Sequence, residues 1–180
     1  MIRVIVLVAA IYLGVIAQEF LPEASFLGGA RLLVVPAIFC LGALSLPFPA
    51  VLGLALYTGL VSDLAALHVA GEQVEIGLGW SMVFYIFVGS VLQIMRMMSP
   101  RGRWEIHCLM SGAVTLLLVM LQYLMVCLRR EEFFLNGTVL LQIFGPALMA
   151  LFVAPLLYVF YQLLPEGSWA EPRRQRRTIP

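Results

Sequence analysis

Read for polarity alone, the chain is a series of long apolar runs divided by short charged clusters. No charged residue stands between Arg3 and Glu19, Arg31 and Asp63, Glu75 and Arg96, His107 and Arg129, or Glu132 and Glu166. A hydrocarbon core of about 30 Å takes about 20 helical residues. The runs predict helices over 4–17, 32–46, 50–70, 76–95, 108–128 and 139–164. The second and third belong to one apolar stretch that Pro47 and Pro49 divide, since proline removes a backbone donor and disfavours helix in the residue before it. A tight Pro-Phe-Pro turn is expected there, and kinks are expected at Pro146 and Pro155. The first run is short enough that a cleavable signal peptide is the competing reading, with Val15-Ile16-Ala17 loosely like a cleavage site.

The fold class expected is therefore an all-α integral membrane protein of six transmembrane helices. Residues 1–164 form the transmembrane domain and 165–180 an arginine-rich tail. Composition agrees: 62% of the 180 residues are hydrophobic and 12% charged, against about 25% charged in soluble domains. Orientation follows from arginine, which favours the cytoplasmic side. With the N-terminus inside, the inner segments hold Arg3, Arg96, Arg101, Arg103, Arg173, Arg174, Arg176 and Arg177. The outer ones hold only Arg31, Arg129 and Arg130, offset by Glu19, Glu23, Glu72, Glu75, Glu131 and Glu132. Both termini are expected in the cytoplasm.

Candidate chemistry is sparse. All eleven basic residues are arginine, which excludes lysine Schiff bases and P-loop lysines. Cys40, Cys108 and Cys127 have no metal or disulfide spacing. No G-x-S-x-G motif is present. His68 and His107 lack a second histidine or cysteine at i+3 or i+4. Neither catalytic activity, cofactor, metal nor nucleic-acid partner is expected. Asp63 stands apart as the sole aspartate, about 10 Å inside the outer end of its helix. Ala55, Gly59, Ser62 and Ala66 follow helical spacing beside it and form a small-residue stripe where another helix can approach closely. Two readings stay open: Asp63 is a buried polar contact at a helix interface, or the helix ends early and Asp63 caps an outer loop.

The order of segments resembles the rod-shape-determining MreD family. The stretch Gly59-Leu60-Val61-Ser62-Asp63-Leu64 is followed by Gly71 and Gly77-Leu78-Gly79, then Met95-Arg96. Near the end come Phe152-Val153-Ala154-Pro155-Leu156-Leu157 and the arginines 173–177. The loop with Glu72 and Glu75 is longer and more acidic than that pattern. The resemblance implies a non-catalytic inner-membrane subunit of the bacterial elongation machinery. It would bind an MreC-like periplasmic scaffold and support peptidoglycan synthesis, with a glycan synthase and MreB as further partners. Ala55, Gly59, Ser62, Asp63, Ala66 and Pro155 would then serve packing or partner contact, and Arg96, Arg101 and Arg103 would meet cytoplasmic partners or anionic membrane lipid. The alternative is a substrate-binding subunit of an energy-coupling-factor vitamin transporter, similar in size and helix number, docking through Ala10, Gly14 and Ala17.

Overall fold

A computed structural model describes residues 2–21, 29, 32–69, 79–98, 104–130 and 136–163, of which 66–69, 98, 129, 130 and 138 are described by backbone alone. Among these residues the chain is helical: α1 (Ile2–Phe20), α2 (Val35–Ser45), α3 (Phe48–Val69), α4 (Trp80–Met98), α5 (Trp104–Arg130) and α6 (Gly137–Gln162). Five of the six are long and apolar enough to cross a membrane, and α2 is the exception. At 1.5 Å per residue its eleven residues reach about 16 Å.

Neighbouring helices run antiparallel. Gly14 of α1 lies beside Val35 and Ile38 of α2, and Leu7 lies over Gly42. Between α3 and α4, Gly59 meets Met82 while Val51 meets Gly89. His107 stacks near Tyr158 at the start of α5, and Gly112 lies against Leu151 of α6. Ile2, Leu46, Arg96, Trp104 and Gln162 consequently gather at one end, called here the basal end.

The short helix is the hub. α2 packs against each of the other five helices, and its residues Val35 to Ala43 are all buried. Phe39 is fully enclosed and meets Tyr85 of α4 edge to face, with ring centroids 4.8 Å apart. The long helices invert the usual soluble pattern. Ile5, Leu13, Phe87, Leu109, Phe152 and Leu156 are among many large apolar side chains left facing outward. In water such a surface would drive aggregation, whereas in lipid it costs nothing. The molecule belongs to the multi-pass membrane class.

The boundaries differ from the sequence reading in two instructive places. The break between α2 and α3 is Leu46–Pro47, with Phe48 and Pro49 already inside α3. Ala50 N and Val51 N both donate to Pro47 O, at 3.0 and 3.1 Å. Proline fits a first helical turn because its missing N–H would have no intrahelical partner there. Helix α5 begins at Trp104, four residues before Cys108, so Glu105 and His107 are helical. Pro146 and Pro155 both lie within a continuous α6.

The α3–α4 seam is set by Gly59. A Cβ built there would lie 2.4 Å from Met82 Cα and 2.5 Å from its N, backbone atoms that cannot rotate aside. Gly59→Ala is expected to force the helices apart and cost on the order of 2–3 kcal/mol, read as a lower unfolding midpoint in detergent. Gly53→Ala, on the same helix with nothing within 4 Å of the added carbon, is expected to be neutral or slightly stabilising.

Candidate functional site

Several polar side chains inside the apolar helices reach the ends of neighbouring helices. An α-helix leaves its first four N–H groups and last four C=O groups without intrahelical partners. In hydrocarbon each unsatisfied group costs several kcal/mol. Four side chains from neighbouring helices answer this need.

Asp63 answers it at the start of α4. Its side chain is 4% exposed, the helix runs on past it to Val69, and its carboxylate reaches across the seam. Oδ2 accepts from Gly79 N at 2.7 Å and Oδ1 from Ser81 N at 3.3 Å. Gly79 is the residue whose carbonyl accepts the first bond of α4, from Val83 N. It adopts φ +97°, a conformation that side chains rarely tolerate. An ordinary helix cap would use its own side chain to accept from the N–H two residues on. Gly79 has none, and Asp63 supplies the acceptor from another helix. Of the two open readings the first holds: Asp63 is buried at a helix interface, and the element it caps is the next helix.

The stripe beside Asp63 is used the same way. Ala55 is fully buried, Gly59 lies under Met82, and Ser62 is half-buried one residue before Asp63. These residues form the internal contact between α3 and α4. Pro155 is half-buried in α6. The side chains of Ala66 and His68, together with Arg101, Arg103 and the tail from 165, lie outside the described residues.

Both ends of α2 are closed by its neighbours. At its start the Gln18 amide of α1, with its oxygen turned toward the helix as the hydrogen-bond network requires, accepts from Val34 N at 2.6 Å and Val35 N at 3.1 Å. Pro36 removes one further orphan donor. At its basal end Gln93 Nε2 of α4 donates to Ala43 O at 2.7 Å and Leu46 O at 2.8 Å. Arg96, one turn on, also donates to Leu46 O. The cationic fork suits this position, since a helix C-terminus carries partial negative charge. Gln18, Gln93 and Ser81 escape a reading based on charge. A lone amide inside an apolar run was the available signal, because it must find a partner there.

Near the basal end, Arg3 of α1 places its guanidinium 5.1 Å from the centroid of the Tyr161 ring of α6. The half-buried His107 lies 4.8 Å from Tyr158, ring to ring. Ser111, one turn beyond His107, is 1% exposed and its hydroxyl has no hydrogen-bond partner among the described residues. Thr58, Ser90 and Thr115 spend their hydroxyls on carbonyls four residues back. Among the described residues no three His, Cys, Asp or Glu side chains stand together as a metal site. The three cysteines are free and buried.

Compared with known proteins, the chain matches no family model, no curated protein and no solved structure.

The caps make a graded prediction. Asp63→Ala strands two buried N–H groups and is expected to cost roughly 2–4 kcal/mol. Asp63→Asn keeps one acceptor but turns an NH2 toward a donor, and is expected to lose about half as much. Unfolding of the two variants in mild detergent, monitored by far-UV circular dichroism, checks the order; equal midpoints for wild type and Asp63→Ala would remove the capping role.

Proposed function

We propose that this protein is a non-catalytic subunit of the bacterial cell-elongation machinery, resembling the MreD family. It crosses the cytoplasmic membrane six times with both termini inside. It binds an MreC-like periplasmic scaffold and supports lateral peptidoglycan synthesis alongside a glycan synthase and MreB.

The observation that supports this reading concerns the Gly59-Leu60-Val61-Ser62-Asp63-Leu64 string. Its two chemically distinctive positions act together on one seam. Gly59 brings the α4 backbone close, and Asp63 uses that closeness to cap α4 through Gly79 and Ser81. An apolar chain can match such a string by composition alone. A string whose glycine and aspartate depend on each other has a physical reason to exist, which raises the weight of the resemblance. The occupied seam also bears on the mode of action. Asp63 has both carboxylate oxygens engaged by backbone N–H groups, so its role is to hold two helices in register. Partner contact then falls to the outward faces and loops.

The six-span reading asks α2 to cross with about 16 Å of helix. The non-helical residues 32–34 before it and Leu46–Pro47 after it lengthen the path. Burial among five other helices keeps its irregular ends away from lipid, the condition under which non-helical backbone is tolerated at membrane depth.

Affinity purification of the tagged full-length chain from bacterial membranes in mild detergent tests the proposal. The expected result is co-recovery of a periplasmic coiled-coil protein or a glycan synthase. Recovery of an ATPase module together with a bound vitamin would overturn it in favour of a transporter subunit. A reporter fused after Pro180 should be active only in the cytoplasm.

A further inference from the structure

We propose that α5 binds one ordered water molecule between His107 Nδ1 and Ser111 Oγ, enclosed where α2 and α6 pack against it. The site is independent of the function proposed above.

Hydroxyl groups inside apolar helices have a local outlet, the carbonyl four residues back. Thr58 uses it at 2.7 Å, and Ser90 and Thr115 at 2.8 Å. For Ser111 that carbonyl belongs to His107, and the bond is not made. Ser111 is 1% exposed and its hydroxyl has no hydrogen-bond partner among the described residues. One turn earlier, the enclosed Nδ1 of His107 has none among them either. Away from water an unmade hydrogen bond is expensive. Two such atoms at successive turns of one helix have a common remedy.

Residues four apart are neighbours on a helix, with Cβ atoms about 5–6 Å apart. The Cβ of Ser111 also leans toward the start of α5, where His107 stands. The two groups nevertheless do not bond to each other, because both lack partners among the described residues. A gap wider than one hydrogen bond therefore separates them. A water making two bonds of about 2.8 Å bridges about 5 Å. Water donates and accepts at once, so it serves the hydroxyl and either tautomer of the imidazole. Buried waters make two to four such bonds to groups that would otherwise stay unsatisfied.

The surroundings favour a small neutral ligand. The Cys40 thiol of α2 reaches Met110 O at 3.9 Å, just before Ser111. Just after it, a Cβ on Gly112 would lie 3.0 Å from Leu151 of α6. The His107 ring lies 4.8 Å from that of Tyr158. Such close packing on two sides leaves little room for anything larger than water. Among the described residues no trio of His, Cys, Asp or Glu offers a metal site. A route inward exists at the basal end, where His107 is half-buried and the preceding Trp104 and Glu105 are exposed.

The sign of one substitution tests the proposal in the full-length chain, unfolded reversibly in mild detergent. Ser111→Ala deletes only the oxygen. With a bound water it is expected to raise the unfolding equilibrium constant about three- to tenfold, because the water loses a partner. With a bare hydroxyl it would lower the constant by relieving a buried polar group, and that result overturns the site. His107→Phe keeps the ring against Tyr158 and removes the nitrogen. Combining the two changes should cost little more than the larger single effect, whereas fully additive effects would count against a shared ligand. Infrared spectra in D2O and in D2O labelled with oxygen-18 then identify the bridge. A sharp O–D band that shifts with the isotope and vanishes in Ser111→Ala is expected. Coupling without such a band would mean a direct bond between the two side chains and would also overturn the proposal. If His107→Phe does not fold, the sign of Ser111→Ala and the isotope shift decide.

Discussion

A helix of about 16 Å at the centre of a membrane bundle has ends that fall short of bulk water on at least one side. The rest of the molecule is arranged around that fact. In water, losing a helix cap costs about 1 kcal/mol because solvent replaces it. At membrane depth nothing replaces it, and the cost becomes several kcal/mol per group. The start of α2 is therefore closed by Gln18, and its end by Gln93 and Arg96. Each cap comes from a different element than the one it serves. What is a local property of a helix in a soluble protein becomes a set of contacts fixing α1 and α4 against α2.

The α3–α4 seam follows the same logic with a different solution. Gly79 takes a positive φ to turn the chain into α4, and in doing so gives up any side chain that could cap it. An aspartate side chain is short, so the acceptor must come from a helix already in backbone contact. Gly59, one turn before Asp63, provides that contact at Met82. The three residues are one device: replacing any of them removes the reason for the other two. The device places Ala55 and Gly59 of the small-residue stripe inside the α3–α4 seam.

Much of this was legible in the sequence, and the failures have physical causes. Apolar run lengths and arginine-bearing boundaries marked six helical segments, because charge cannot enter hydrocarbon cheaply. The ends were blurred where chemistry is ambiguous. Leu32, Leu33 and Val34 are as apolar as the helix they precede, so α2 looked longer than it is. Pro49 reads as a breaker from sequence, yet proline is equally at home in a first turn. Asp63 announced itself as a lone acid in an apolar run. Its partners could not be read, because Gly79 and Ser81 reach it only through the close approach at Gly59. Gln18 and Gln93 carry no charge and passed unnoticed, although two amides set the ends of the central helix.

The absence of lysine also bears on how the basal end is built. Arg96 donates to a carbonyl at a helix terminus, where a planar cationic fork meets the partial negative charge of the helix end. Arg3 must lie over an aromatic ring, where a guanidinium stacks and sheds water more readily than an ammonium. A lysine at either position would preserve the net charge and the topology signal. It would give up the stacking at Tyr161 and present a compact, strongly hydrated cation that resists burial. Arg96 thus closes the end of α2, while Arg3 ties α1 to α6 through the Tyr161 ring. Each of these two contacts favours a planar guanidinium over an ammonium.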